Sequence, residues 1–109
     1  MLNSNLTAMY HRTYTNSGAR YDIMATMQND YKHININVAD ESLVDGGFLY
    51  PTLEIPPTNQ ATILGLARCT DGTTTDCIIT LETNGDMQLL LYNYGSKTVS
   101  GIIASGFYN

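Results

Sequence analysis

The sequence predicts an all-β fold, and three observations support that class. Thr, Asn and Tyr are abundant (14, 10 and 8 of 109 residues), whereas only 14% of the chain is charged. β-Branched and aromatic residues favour strands, and Asn favours turns. Apolar and polar residues alternate with a period of two, most cleanly over 33–38, and no segment sustains a 3.6-residue apolar period. We therefore expect helix to be limited to about one turn, within residues 39–44.

The N-terminal half contains three expected strands followed by an irregular middle. Residues 1–9 are largely polar and are expected to form a loose lead-in. The strands are expected at 10–14, 21–27 and 33–38, with turns at 16–18 and 28–30. Two short apolar pieces follow at 48–50 and 52–55. Each is stopped by proline, which cannot donate a hydrogen bond to a neighbouring strand.

The C-terminal half has the pattern of a β-meander. Strands are expected at 62–69, 76–83, 86–92 and 98–108. The dipeptide Asn84-Gly85 between two of them is a strong hairpin signal. With about eight short strands, the chain is expected to form one domain over residues 1–109, an antiparallel jelly-roll-like β-sandwich or barrel.

The last two expected strands are apolar on both faces, which the earlier ones are not. A strand that is buried on both faces needs a second apolar layer, and a sandwich of this size has only one core. We therefore expect the second layer to be another subunit, with a strongly twisted small barrel as the alternative. Alternate residues along each strand point to opposite faces, and one of the two faces is assigned to the subunit interface. The opposite assignment stays open. The interface residues are Leu90, Ile102, Ala104 and Tyr108.

Cys69 and Cys77 are too few for a disulfide framework or a structural zinc site. They flank a loop rich in Thr, Asp and Gly, so they could face each other across a hairpin. Two free, half-buried thiols are the favoured interpretation. A cross-strand disulfide is the alternative if the protein works outside a reducing compartment.

Charge and motif content exclude several classes of function. The net charge is −5 and the five basic residues are scattered, so no positive patch for nucleic acid is expected. No apolar run is long enough to cross a bilayer, and the N-terminal residues do not resemble a signal peptide. The two histidines, His11 and His33, have no metal-ligand spacing. We expect no catalytic activity, no metal and no cofactor.

The loops offer more for binding than for catalysis. In the expected meander, loops 70–76 and 93–97 lie at one end, and Asn84-Gly85 lies at the other. Tyrosine rings beside carboxylates and a cation suit sugars, since ring CH groups stack on Tyr and hydroxyls hydrogen-bond to charged groups. The alternative is that the carboxylates are solvated turn residues, Tyr92 is interface core and Tyr94 an ordinary turn residue. The candidate saccharide-binding residues at this end are Arg68, Asp71, Asp76, Tyr92, Tyr94 and Lys97.

Residues from about 50 to 109 resemble the C-terminal head domain of receptor-binding proteins from the tail tips of phages that infect lactococci and related bacteria. The shared features are a proline-containing lead-in strand, a hairpin similar to TNGDMQLLL, and a final apolar strand. The resemblance implies a non-catalytic homotrimeric head, located on the virion at the phage tail tip, that binds a host cell-surface polysaccharide. The chain has no Trp to stack on a sugar, so no binding residue is carried over from the family.

Three other functions compete with this expectation. The first is a monomeric carbohydrate-binding or adhesion β-sandwich module of a larger protein. The second is a structural virion subunit without a ligand, and the last is a glycosidase that uses paired carboxylates such as Asp71 and Asp76.

Overall fold

The computed structural model describes residues 6–28, 30–50, 52–92 and 98–109. Within these ranges the chain is all-β and has no helix, as the sequence predicts. Seven strands form one antiparallel sheet around one core, which makes a single domain. The strands are β1 (Leu6–Asn16), β2 (Ala19–Gln28), β3 (Tyr31–Leu43), β4 (Ala61–Cys69), β5 (Thr74–Leu81), β6 (Met87–Leu91) and β7 (Val99–Tyr108).

The strand order is β1-β2-β3-β7-β4-β5-β6, so the last strand of the chain lies in the middle of the sheet. Within the sheet, β7 lies between the two hairpin series, β1-β2-β3 and β4-β5-β6, and pairs with β3 and β4. Ala104 of β7 lies opposite Ile36 of β3 on one side and Gly65 of β4 on the other. The C-terminal strand therefore unites two sequence-local halves into one sheet.

The sheet curls around its own inner face. Buried side chains from β2 near one edge, such as Ile23, belong to the same core as Leu89 of β6 at the other edge. Two glycines allow β4 and β7 to approach closely. A Cβ at Gly106 would lie 2.6 Å from Cγ2 of Ile63, and a Cβ at Gly65 would lie 2.7 Å from Cβ of Ala104 in β7. Any larger residue at either position would push these strands apart.

The connection between β3 and β4 contacts both edge strands of the sheet. The amide of Leu49 donates to the carbonyl of Met87 in the edge strand β6 (2.8 Å). The side chains of Leu49 and Leu53 are buried in the core. On the opposite edge, Nε of Arg12 in β1 donates to Oε2 of Glu54 (2.8 Å). The connection thus pairs with the backbone of β6, which protects that edge from pairing with other chains, and contacts β1 through a side-chain ion pair.

Two local predictions are wrong. Residues 39–43 are not a helical turn, because β3 continues to Leu43, which pairs with Val99 beyond an irregularity in the β3–β7 register. Residues 6–9 are not a loose lead-in, because β1 begins at Leu6 and Leu6 pairs with Gln28. In both cases backbone pairing with a neighbouring strand outweighs a weak local pattern.

The interface parity assigned to β7 is also wrong. Ile102, Ala104 and Tyr108 are 1%, 3% and 3% exposed and lie in the core of their own chain. Their side chains face inward because β7 is sandwiched between β3 and β4, whose inward residues are apolar on the same face. The opposite parity, with Ile103 and Phe107 outside, is the one that the structure has. Leu90 is exposed, and its place in an interface stays a prediction.

Both cysteines are free and fully buried, so they are more buried than the sequence indicates. The β4–β5 register places Gly65, not Cys69, opposite Cys77. Four residues along a strand separate Cys69 from that position, which is about 13 Å at the usual rise of a strand. A disulfide needs Cα atoms within about 7 Å, so the register excludes the alternative of a cross-strand disulfide and agrees with the favoured prediction of two free thiols. Burial, with a smaller effect from the charge of Asp76, raises the pKa of Cys77 to about 11.

Candidate functional site

The outer face of the sheet carries a cluster of exposed apolar residues. Leu66 of β4 lies opposite Ile103 of β7, and their exposed fractions are 53% and 58%. Leu64, which is 71% exposed, continues the surface through the half-buried Ile78 of β5 to Leu90 of β6. We call this surface the outer patch. Its members are Leu64, Leu66, Leu90, Tyr92, Ile103 and Phe107.

The area of the outer patch is unusual for an isolated chain. The exposed fractions of its six members correspond to roughly 660 Å², taking about 200 Å² for a fully exposed large side chain. That value is slightly above the roughly 300–600 Å² found for the largest apolar patch of a monomeric protein. A patch of this size typically marks an interaction surface.

The predicted saccharide-binding residues that the structure describes lie at one end of the sheet. The amide of Tyr92 donates to the carbonyl of Asp76 (3.0 Å), which holds the end of β6 beside the start of β5. The amide of Thr70 donates to the carbonyl of Thr98 (2.9 Å), which brings the β4–β5 turn to the same end. Arg68, on the exposed face of β4, is two positions along the strand from Leu66, the partner of Asp76. The β4–β5 turn and the end of β6 thus lie at the same end of the sheet, and loop 93–97, the other half of the prediction, lies outside the described residues.

Asp71 shapes its own turn. Its Oδ1 accepts hydrogen bonds from the amide of Thr73 (2.9 Å) and from the Thr73 hydroxyl (2.5 Å). Gly72 follows it with a φ of 89°, a left-handed conformation that suits glycine. This arrangement holds Asp71 in a fixed position on an exposed loop. Tyr94 and Lys97 lie outside the described residues.

Asp76 and Tyr92 line a cavity of about 460 Å³ at the margin of the outer patch. Leu64 and Ile78 contribute its apolar wall. The Thr75 hydroxyl donates to the Tyr92 carbonyl and anchors the backbone of the aromatic residue. A carboxylate beside an aromatic ring and an aliphatic wall supplies the acceptor and the stacking surface that a sugar needs. We call it the Asp76–Tyr92 cavity.

A larger cavity, of about 830 Å³, lies where the β1–β2 turn meets the end of β3. Its lining includes Tyr14, Tyr21, Asp40 and Tyr50, which are not among the six predicted saccharide-binding residues. One signal in the sequence bears on it. The two-residue turn Ser17-Gly18, with φ values of 50° and 89°, fixes a register in which Tyr14 lies opposite Tyr21. The contribution of Tyr50 depends on the course of a long connection and has no local signal.

The two histidines are placed in ordinary surface interactions. Nε2 of His11 lies 2.6 Å from Oδ1 of Asp22 in the adjacent strand, and both side chains are about half exposed. The ring of His33 packs against Phe107, with ring centroids 4.7 Å apart. In the described part of the chain, no three His, Cys, Asp or Glu side chains gather as a metal site would require. Nor does any helix in those residues have the length and hydropathy to span a membrane.

No protein-family model matches the sequence, and no curated protein matches it significantly. The outer patch and the two cavities are therefore the features that bear on function.

Proposed function

We propose that this chain is a non-catalytic receptor-binding head at the tip of a phage tail, which recognises a host cell-surface saccharide as a homotrimer with a jelly-roll-like subunit. The observation that carries the proposal is the outer patch. An apolar surface of this extent is unfavourable in water and is stabilised when another subunit covers it. In a trimer the outer patch would face the three-fold axis, where each subunit contacts its two neighbours through different parts of that face.

The position of the Asp76–Tyr92 cavity supports a link between assembly and binding. Leu64 and Tyr92 belong both to the outer patch and to the cavity lining. A neighbouring subunit on the patch would therefore wall the open side of the cavity. In this proposal Asp76 accepts hydrogen bonds from sugar hydroxyls and Tyr92 stacks on a ring. Arg68 and Asp71 lie at the same end and contact flanking groups of the polymer.

Trimeric assembly would also compensate for the low affinity of a single saccharide site. Such a site is shallow and wet, and each sugar hydroxyl must exchange its hydrogen bonds with water for bonds with the protein. Three sites on one head, bound to a repeating polymer, raise the overall affinity by about 10²–10⁴ through effective concentration.

The experiment combines a mass measurement with a binding measurement. Sedimentation equilibrium should give three times the mass of the chain at micromolar concentration. The fluorescently labelled protein should bind cells of a susceptible strain, and extracted cell-wall polysaccharide should compete for binding. Asp76→Ala and Tyr92→Ala should each reduce cell binding, whereas Tyr31→Ala, an equally exposed tyrosine outside the outer patch and the Asp76–Tyr92 cavity, should not.

A monomeric carbohydrate-binding or adhesion module of a larger protein is the second candidate. A monomer that binds the polysaccharide would favour it over the receptor-binding head. A trimer that binds no polysaccharide would instead favour a structural virion subunit. Release of reducing sugar ends from the polysaccharide would contradict the non-catalytic role.

A further inference from the structure

We propose that the larger cavity is a second saccharide site, specific for a neutral or amine-bearing sugar and closed to acidic ones. The inference rests on the proposed function for its ligand class, but it uses a different part of the sheet from the Asp76–Tyr92 cavity. We call it the tyrosine cavity. Its volume of about 830 Å³ lies within the range of roughly 300–1,000 Å³ that is usual for small-molecule sites.

Aromatic side chains from three segments converge on this cavity. Tyr14 comes from β1, Tyr21 from β2 and Tyr50 from the connection between β3 and β4. The rings of Tyr14 and Tyr50 are 5.0 Å apart and inclined at 56° to each other. Tyr50 is 57% exposed, so a large part of its ring remains available to a ligand. Two inclined aromatic rings provide an apolar corner for the CH face of a sugar.

The polar wall of the tyrosine cavity is held in place by hydrogen bonds. Oδ2 of Asp40 accepts a hydrogen bond from the Tyr21 hydroxyl (2.8 Å), and Oδ1 accepts from the amide (2.9 Å) and hydroxyl (2.6 Å) of Ser42. Partial burial opposes ionisation of Asp40, but these hydrogen bonds outweigh it and hold its pKa below the ordinary value. A carboxylate has about four acceptor positions, so three donors leave one for a ligand hydroxyl or amine.

The charge of the lining selects among sugars. Asp40 and Glu41 both line the cavity, and the described lining residues include no Lys or Arg. The closest basic residue along β2 is Arg20, which is exposed, lies opposite Ala39 and is not among the lining residues. Among the described lining residues an acidic sugar would meet two carboxylates and no cation, whereas a protonated amine would be attracted by both carboxylates and by tyrosine rings.

The test is a titration of the isotope-labelled protein, followed by NMR, with glucosamine, methyl glucoside and glucuronate. We expect glucosamine to bind most tightly, methyl glucoside more weakly and glucuronate not at all. The amide signals that shift should be those of Glu41, Ser42 and Tyr50. Tyr50→Ala should weaken binding about 3- to 10-fold through loss of ring contact. Glu41→Gln should reduce the preference for glucosamine over methyl glucoside about 3-fold.

The control and the contrary outcomes separate this inference from the proposed function. Tyr31→Ala removes an equally exposed tyrosine that lines neither the tyrosine cavity nor the Asp76–Tyr92 cavity, and should leave the titration unchanged. Sugar-induced shifts confined to the amide signals of Asp76 and Tyr92 would contradict saccharide binding in the tyrosine cavity but would not contradict the proposed function. Equal binding of glucuronate, or no shift with any of the three sugars, would also overturn it. The proposed function is judged independently, by trimer mass and cell binding.

Discussion

Leu64→Asp is the sharpest test of the outer patch, because Leu64 is its most exposed member at 71%. Full burial of a leucine side chain is worth roughly 1.5–3 kcal/mol, so covering the exposed part of Leu64 contributes about 1–2 kcal/mol per subunit. An aspartate in the same place forfeits that contribution and adds the cost of enclosing an unpaired charge, which is several kcal/mol. Together these changes should raise the dissociation constant of the assembly by more than about 100-fold.

Sedimentation velocity over a concentration series measures this shift directly. Leu64→Asp should sediment as a folded monomer where the parent chain is a trimer, with an unchanged far-ultraviolet circular dichroism spectrum. Met24→Asp is the matched control, since Met24 is also an exposed apolar residue on the outer face of a strand, in β2. It lies opposite Asn35 and His11, outside the patch, and should leave assembly intact.

A charge placed in the core should have a different effect from Leu64→Asp. Ile102→Asp places a carboxylate at a position that is 1% exposed, so it should unfold the chain and not merely dissociate it. A parent chain that sediments as a monomer at micromolar concentration would refute the reasoning about the patch. So would a Leu64→Asp variant that assembles as tightly as the parent.

Three further predictions concern the fold. Gly106→Ala should destabilise the chain by about 1–3 kcal/mol in denaturant unfolding, because its Cβ would lie 2.6 Å from Cγ2 of Ile63; no change would contradict the close approach of the strands. Mild oxidation should leave Cys69 and Cys77 as free thiols by mass spectrometry, and an internal disulfide would disprove the β4–β5 register. The lowered pKa of Asp40 implies a stabilisation that is complete above the unfolded-state pKa of roughly 3.9 and is lost as pH falls through the folded-state value. Asp40→Asn should therefore lose less stability than the parent in acid unfolding below about pH 4, and parallel curves would rule this out.

Local sequence signals predicted the hairpins well. The turn at 84–85 is confirmed, with Gly85 at a φ of 96° and the Asn84 side chain accepting from the amide of Asp86. The turn at 17–18 is likewise present between β1 and β2. Each signal depends on residues adjacent in the chain, and that is why the order within β1-β2-β3 and β4-β5-β6 could be anticipated.

The place of β7 could not be predicted in this way. It pairs with β3 and β4, which are distant in sequence, and its own residues are apolar in both parities. The neighbouring strands decide which face is buried. Ile102 lies opposite Val38, a buried residue, whereas Ile103 lies opposite the exposed Asn37. The clean alternation of β3 would have settled the parity of β7 if their pairing had been known.

The residues of a candidate site could be predicted to lie together where hairpins connect their strands, and not where a long connection brings them together. The meander brought Asp76 and Tyr92 together, since both flank hairpin-connected strands. The tyrosine cavity combines a hairpin with Tyr50, which reaches it through the connection that crosses from the β6 edge to the β1 edge. No periodicity or spacing encodes that crossing, because it results from the closure of the sheet around its core.

The two cavities lie at the same end of the sheet, on either side of the start of β7. Ser100 lines the tyrosine cavity, and its Oγ donates to the carbonyl of Arg68 (3.3 Å), beside the predicted saccharide end. Because β7 is antiparallel to both β3 and β4, the ends of those two strands meet at the start of β7. The β1–β2 turn, the end of β3, the β4–β5 turn and the end of β6 therefore lie at one end of the sheet. In a trimer assembled through the outer patch, both cavities of every subunit would then lie at the same end of the assembly, which suits multivalent binding to one polymer.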